Sequence, residues 1–289
     1  MRIKKYFDNY YKNVIINNNH NVKDIVENSK MASLDSVFVA IKGYKHNGID
    51  YIEEAIKNGA KTIIFDEEIS FSNKNVIKVC DAKVELARLL NWFYQKKSKP
   101  KIIAVTGTNG KTSVTMYTFN ALKKLNINCL LIGTEENISF YNGRLRYIRA
   151  SNTTPSITTI YQLMMEHPYK YLIMEASSQG ICEGRLLGLT FRVACFTNIT
   201  QDHLDYHKTM DNYANAKSRI VYQLEDEGIL ILNRDMNYFT EIKKLSINRI
   251  YTYSIQDDTA MIYGRIIDRK IGGMKVAIDT LSKKKIINT

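Results

Sequence analysis

Short apolar runs alternate with amphipathic stretches along the first hundred residues. Val37-Phe38-Val39-Ala40-Ile41 and Lys61-Thr62-Ile63-Ile64-Phe65 have the continuous apolar character of buried strands, and Tyr51 to Asn58 between them has a helical pattern. Val84 to Gln95 places Leu86, Leu89, Leu90 and Phe93 at helical spacing. These elements predict a small α/β domain. Lys96-Lys97-Ser98-Lys99-Pro100 is charged and ends in a proline, so a linker is expected there, with domains at 1–98 and 99–289. In the second part the alternation continues on a larger scale, with strands expected at 102–106, 170–175, 192–197, 229–232 and 250–253. That rhythm implies a mostly parallel sheet wrapped by helices, in which ligands gather beyond the carboxyl ends of the strands.

Length and composition agree with this picture. At 289 residues the chain fits two domains of about 150 residues each. A hydrophobic fraction of 45% and a charged fraction of 24% are those of a globular chain that can bury a core. No apolar run approaches the roughly 18 residues that a membrane-spanning helix needs, and a cytoplasmic protein without a membrane partner is expected. Met1-Arg2-Ile3-Lys4-Lys5 imitates the start of a signal peptide, but Asp8 and Asn9 interrupt the apolar stretch that should follow. The cysteines, Cys80, Cys129, Cys182 and Cys195, lie far apart. Cys80, Cys129 and Cys195 fall in apolar runs and read as buried, reduced thiols. The net charge of +12 raises nucleic acid as a partner, yet the lysines are spread along the chain with a local run only at Lys283-Lys284-Lys285. A solvated basic surface that favours small anionic substrates is the better reading, and no nucleic-acid partner is expected.

Candidate chemistry begins at Val105-Thr106-Gly107-Thr108-Asn109-Gly110-Lys111-Thr112, directly after the apolar run Ile102-Ile103-Ala104. Two glycines and a lysine within six residues also occur in ordinary turns. The strand before and the helix-compatible segment after are what make this a phosphate loop. Backbone N–H groups and the helix N-terminus face the phosphates, Lys111 adds a mobile cation, and Thr112 offers a hydroxyl to Mg²⁺. Valine stands at position 105, where the longer form of the loop has a glycine; this is the short Gly-x-x-Gly-Lys-Thr form. A nucleoside triphosphate is the implied ligand.

Three further clusters follow expected strands. Glu175 ends the run Tyr171-Leu172-Ile173-Met174 and would face the loop across the sheet, where it could bind Mg²⁺; Ser177 and Ser178 equally suit a helix-capping turn. Thr197-Asn198-Ile199-Thr200-Gln201-Asp202-His203-Leu204-Asp205-Tyr206-His207 is dense in acids and imidazoles, and spacing alone does not separate His203 from His207 as a metal ligand. Lys217, in Tyr213-Ala214-Asn215-Ala216-Lys217-Ser218-Arg219, reads by itself as a surface lysine on a helix. Asn152-Thr153-Thr154-Pro155 could hydrogen-bond an anionic or sugar ligand, or be a helix N-cap with Pro155 in the first turn.

In this order these motifs closely resemble the Mur ligase family, and within it the type that adds a third amino acid to UDP-N-acetylmuramoyl-L-alanyl-D-glutamate. The matching elements are Gly107 to Thr112, Asn152 to Pro155, Met174-Glu175-Ala176-Ser177-Ser178 with Arg185, Thr197 to His207, and Tyr213 to Lys217. Ser29 and Phe38-Val39-Ala40-Ile41-Lys42-Gly43 extend the likeness to the family's uridine-nucleotide-binding domain. The implied fold is α/β: a small uridine-nucleotide-binding domain followed by a mostly parallel-sheet, P-loop ATPase-like central domain.

The resemblance implies an ADP-forming ligase of peptidoglycan precursor synthesis that phosphorylates the D-Glu carboxylate of the dipeptide to an acyl phosphate, which an amine then attacks. It implies that Gly107, Thr108, Asn109, Gly110, Lys111 and Thr112 hold ATP and that Thr112, Glu175, His203 and Lys217 serve Mg²⁺ sites, with Lys217 carbamylated. Lys111, Lys217, His203 and Glu175 would carry catalysis. Asn152, Thr153, Thr154, Ser177 and Arg185 would hold the muramoyl-dipeptide, and Ser29, His46 and Asn47 the uridine diphosphate. Departures occur at Asn28-Ser29-Lys30, Leu34-Asp35 and Asn47-Gly48-Ile49, where the family usually has Asp-Ser-Arg, Pro-Gly and Asp-Gly-His, and at Gln179 and Glu183. The sequence ends at Thr289, where the family's C-terminal amino-acid-binding domain would begin. The expectation is a chain that binds but does not turn over unless a separate polypeptide supplies that domain. The alternatives are a non-catalytic binding module for nucleotides and UDP-sugars, or a ligase of the folylpolyglutamate type.

Overall fold

The apolar runs of the first third become strands of a parallel sheet. The computed structural model describes all residues except 12, 13, 15, 44, 45, 69–74, 272, 281, 282 and 289, so Thr289, the end of the second expected domain, lies outside the described residues. In chain order come α1 (Ile3–Tyr10), β1 (Ile25–Val26), β2 (Val37–Val39), α2 (Ile52–Lys57), β3 (Thr62–Phe65), β4 (Val76–Lys78) and α3 (Ala82–Phe93). The sheet order is β1-β2-β3-β4, every pair parallel. Phe38, Ile52, Ala55, Ile63 and Phe65 form its buried core. Each large side chain removed from water there contributes about 1.5–3 kcal/mol. Asp81 caps α3 by accepting the Val84 N–H at 2.9 Å.

The basic start of the chain is a helix, with Ile3, Tyr6 and Phe7 of α1 buried. The Tyr6 and Tyr11 hydroxyls donate to the buried carboxylate of Glu85 on α3, which Arg88 also meets at 2.8 Å. This charged cluster fixes the N-terminal helix to α3, since a buried carboxylate is tolerated only when paired and hydrogen-bonded.

The chain continues through β5 (Lys101–Thr106), α4 (Lys111–Lys124), β6 (Cys129–Ile132), β7 (Glu136–Tyr141), β8 (Arg144–Arg149), α5 (Ile157–Met164), β9 (Tyr171–Glu175), α6 (Ser178–Cys182), β10 (Phe191–Phe196), α7 (Leu204–His207) and α8 (Met210–Ser218). It ends with β11 (Leu224–Asn233), α9 (Phe239–Lys244), β12 (Arg249–Ser254), β13 (Ile262–Lys270), β14 (Gly273–Thr280) and β15 (Lys284–Asn288). The second sheet has the order β15-β14-β13-β12-β11-β10-β5-β9-β6-β7-β8 among the described residues. Its run from β13 to β6 is parallel, as the strand–helix rhythm implies.

The antiparallel pairs β6–β7, β7–β8, β13–β14 and β14–β15 were not anticipated by that rhythm. β8 reads Arg-Leu-Arg-Tyr-Ile-Arg and stays mostly exposed at the sheet edge, so no core-facing apolar pattern marks it. Phe119 of α4 packs with Cys129, Leu131, Ile138, Phe140 and Ile173 in a buried cluster beneath the helix.

Two compact units divide the chain: Met1–Ser98 with Ser156–Pro168 and Glu183–Leu189, and Lys99–Pro155 with Tyr169–Cys182 and Thr190–Thr289. One cysteine expectation is corrected. Cys129 and Cys195 are buried, but Cys80 is exposed and Cys182 half-buried. Cys80 sits between buried Val79 and the capping residue Asp81, where the chain has left the strand and its side chain turns outward. No helix among the described residues is long and apolar enough to cross a membrane.

Candidate functional site

In the second unit, β5 has β9 on one side and β10 on the other, with Val105 opposite Glu175 and Thr106 opposite Phe196. The carboxyl ends of these three parallel strands therefore bring together the loop after β5, Glu175, and the segment that opens with Thr197. Gly107 has φ +146°, and a Cβ there would lie 1.9 Å from the Thr197 hydroxyl oxygen, so glycine is required by both conformation and space. Gly110, at φ +85°, turns the chain into α4.

The middle of the loop is tied down by residues whose motif the sequence displays but whose role it does not reveal. The Thr108 N–H donates to the Asn198 carbonyl and the Asn109 N–H to Asn198 Oδ1, both at 2.9 Å. The Asn109 carbonyl accepts from Asn198 Nδ2 at 3.0 Å and from the Thr197 hydroxyl at 2.6 Å. The Thr108 hydroxyl lies 3.1 Å from the Tyr213 hydroxyl and accepts the Thr200 N–H at 2.9 Å. Two loop N–H groups are thus committed to scaffold. What faces an anion is the first turn of α4, whose N–H groups have no partners within the helix, together with Lys111.

Lys111 and Lys217 meet at the Gly107 carbonyl of this loop. Lys111 Nζ donates to the carbonyls of Gly107 at 2.9 Å and Thr108 at 2.8 Å. Lys217, on α8, also donates to the Gly107 carbonyl at 2.9 Å, and its ammonium lies 4.5 Å from the centre of the Tyr213 ring. At 1% exposure Lys217 is not the surface lysine that its helix alone suggested. Burial, and secondarily the Lys111 charge, pushes its amine down to about 7. Burial also lowers Lys111, against the opposing pull of Glu175 and Asp202.

Glu175, 1% exposed at the end of β9, accepts the Thr112 hydroxyl at 3.1 Å. It also accepts two bonds from Thr134, a residue that sequence reasoning did not single out: the N–H and the hydroxyl, each at 3.0 Å. The signal that could have found it is Ile132-Gly133-Thr134, an apolar run ending in Gly-Thr like the run before the phosphate loop. Thr112 and Glu175 offer hard oxygen donors. They fit Mg²⁺, which takes one or two protein oxygens and completes its shell with phosphate oxygens and water.

The two histidines separate clearly. His207 is buried, with Nε2 2.9 Å from the Ser178 hydroxyl and its ring against Tyr213, and burial lowers its basicity. His203 is exposed in a left-handed backbone conformation at the start of α7, with Nε2 3.5 Å from Asp202. Among the described residues no three His, Cys, Asp or Glu side chains converge as a metal cage.

The helix-cap reading of the Asn152–Pro155 turn is corrected. Helix α5 starts at Ile157 with Ser156 as its cap, so neither Asn152 nor the threonines cap it and Pro155 precedes the cap. Asn152 is exposed and Thr153 half-buried. Thr154 is fully buried: its hydroxyl donates to the Glu175 carbonyl at 2.9 Å, accepts the Ser177 N–H at 2.9 Å and lies 3.0 Å from the Ser177 hydroxyl. Ser177 in turn accepts the Gly180 N–H at 3.1 Å, the capping role open to it.

In the first unit, Ser29 and His46 line a cavity of 540 Å³ with Glu27, Lys30, Ile41 and Tyr51. The Ser29 hydroxyl donates to Glu54, and the Tyr51 hydroxyl lies 3.3 Å from His46 Nδ1. Asn47 caps the following turn through the Ile49 N–H at 3.3 Å and donates to Glu67. Arg185 forms a close pair with Glu183, with Nε at 2.9 Å from the carboxylate.

Comparison with known proteins finds one family along the chain. The model of the Mur ligase middle domain matches residues 105–288, and that of the Mur ligase family catalytic domain matches residues 26–95. The UDP-N-acetylmuramoyl-L-alanyl-D-glutamate–2,6-diaminopimelate ligase of Caldanaerobacter subterraneus subsp. tengcongensis is 34% identical over 277 residues, covering 94% of this chain and 56% of its own. Its namesake from Clostridium tetani is 36% identical over 270 residues, covering 89% and 53%. The chain thus spans about half the length of these curated relatives. A solved structure of a ligase of that name superposes with a TM-score of 0.80 at 23% identity, over 95% of this chain and 57% of that one. A MurF ligase from Thermotoga maritima in complex with ADP superposes with a TM-score of 0.63 at 18% identity, over 92% and 58%. With family models matching in both units, the chain belongs to the Mur ligase family.

Proposed function

We propose that this chain is the nucleotide- and acceptor-binding part of an ATP-dependent, amide-forming ligase of peptidoglycan precursor synthesis. The observation that carries the reading is the Thr112–Glu175 contact of 3.1 Å beside Lys111, which sets a hydroxyl, a carboxylate and a cation at the mouth of a phosphate loop. The first turn of α4 and Lys111 hold the triphosphate of ATP, and Thr112 and Glu175 hold Mg²⁺, with His203 a candidate ligand of a second ion. The metal supplies charge neutralisation on the transferring phosphoryl group.

The acceptor is UDP-N-acetylmuramoyl-L-Ala-D-Glu, the substrate named for relatives 34–36% identical. Its uridine diphosphate belongs in the cavity lined by Ser29 and His46, with Asn47 shaping the adjoining turn. Asn152, Thr153 and Arg185 contact the muramoyl-dipeptide, while Thr154 and Ser177 set the shape of the turn. A carboxylate oxygen of D-Glu attacks the γ-phosphorus with loss of ADP, and an amine then displaces phosphate from the acyl phosphate. ATP and a UDP-linked acceptor place the reaction in the cytoplasm.

Lys217 is the carbamylation site in this reading. An amine held near 7 is in part neutral at physiological pH, which is the form that adds CO₂ and releases a proton. The resulting anion would lie beside the Lys111 ammonium that now opposes it. Calorimetric titration with UDP-N-acetylmuramoyl-L-Ala-D-Glu tests the acceptor assignment. Saturable heat that UDP alone reproduces only weakly is expected; no heat would remove this substrate.

A further inference from the structure

Glu175 is held on three sides, and one of its partners reaches further. Its Oε1 accepts the Thr134 N–H at 3.0 Å, and its Oε2 accepts the Thr134 hydroxyl at 3.0 Å and the Thr112 hydroxyl at 3.1 Å. A Cβ on neighbouring Gly133 would lie 2.8 Å from Oε1, so the turn after β6 closes against the carboxylate and leaves room for nothing larger than glycine there. The Thr134 hydroxyl also lies 3.2 Å from the hydroxyl of Thr153, in the turn after β8. A hydroxyl has one proton to give. Thr134 is the donor in both contacts, so its proton goes to Glu175 or to Thr153 but not to both at once.

From this geometry we infer that Thr134 is the positioning residue of the metal site. It fixes both oxygens of Glu175 and joins the carboxylate to the acceptor-binding turn through a single hydroxyl. An anionic group that accepts the Thr153 proton makes Thr153 a better acceptor and draws the Thr134 proton away from Glu175, so occupancy of the turn is felt at Glu175. Hydrogen bonds in series polarise one another in this way. The inference rests on the reading of Glu175 as a Mg²⁺ ligand.

The test is the affinity of the intact chain for ATP with and without Mg²⁺, in wild type, Thr134→Val, Thr134→Ala, Thr134→Ser and Glu175→Gln. Thr134 is exposed, so these changes do not open the core. Thr134→Val and Thr134→Ala are expected to lose about tenfold of the Mg²⁺-dependent gain in affinity, as for loss of one bond to a charged group, while metal-free binding is unchanged. Thr134→Ser, which keeps the hydroxyl, is expected to restore the gain, an outcome that bulk or folding effects would not produce. Full retention of the gain in Thr134→Val and Thr134→Ala, with loss in Glu175→Gln, would overturn the role of Thr134 and leave the metal reading standing. Retention in Glu175→Gln as well would overturn both.

Discussion

Lys111 and Lys217 donate to the same atom, the carbonyl oxygen of Gly107, each at 2.9 Å. Two ammonium groups on one acceptor, in a largely buried site, oppose each other's charge. The arrangement is unfavourable for the protein alone and suited to an anion placed between or beside them. The arrangement carries a local cost in stability, and that cost has a pH signature.

Lys217 titrates near its ordinary value of 10.5 in the unfolded chain and at about 7 in the folded one. Between those values the unfolded chain binds the proton and the folded chain does not, so this group makes stability rise with pH across the window. Below about pH 7 both states bind it, and the full cost of the buried ammonium remains. Lys217→Met should therefore raise the melting temperature most at about pH 6, with the gain shrinking toward about pH 10. Thermal unfolding in CO₂-free buffer measures this, and a pH-independent difference would contradict it.

Carbamylation of Lys217 has its own signature. In ¹³C-bicarbonate near neutral pH the wild-type chain should show a carbamate carbon resonance that Lys217→Met lacks. A signal of equal strength in both would assign the modification elsewhere.

Gly107→Ala combines a φ of +146° with a Cβ 1.9 Å from the Thr197 hydroxyl oxygen. A loss of about 1–3 kcal/mol is expected from the forced contact, with the backbone strain added to it. Adding Thr197→Ala should recover only part of the loss, because it relieves the contact and not the dihedral. Urea unfolding of the single and double variants checks the order.

Glu85→Ala in the first unit strands the buried Tyr6 hydroxyl and removes the partner of Arg88. Breaking a buried, charged cluster on one side costs about 3–5 kcal/mol. Denaturant titration should show that loss, and proteolysis should cut near α1 first.

The parallel strands and the phosphate loop were legible because continuous apolar runs ended in polar clusters, and in a parallel sheet those clusters share one edge. Five ordered motifs carried the family. What the sequence did not show is division of labour within a motif. Thr154 and Thr153 are adjacent and chemically identical, yet one is fully buried and bonded to backbone while the other reaches Thr134. His203 and His207 stand four residues apart, and only packing against Tyr213 and Ser178 sends His207 inside. Thr134 escaped notice because its partner is 41 residues away, and the antiparallel strands because β8 buries too little to carry a pattern.

In the proposed ligase the loop from Gly107 to Thr112 binds ATP, with Mg²⁺ held by Glu175 and Thr112. The most direct measurement is a titration of the chain with ATP, with and without Mg²⁺, in wild type and Lys111→Ala. Saturable binding is expected, strengthened by Mg²⁺ and weakened roughly 10- to 150-fold by loss of the lysine, as for a bond between charged groups worth about 1.5–3 kcal/mol. Binding that is absent, or indifferent to both Mg²⁺ and Lys111, would contradict it.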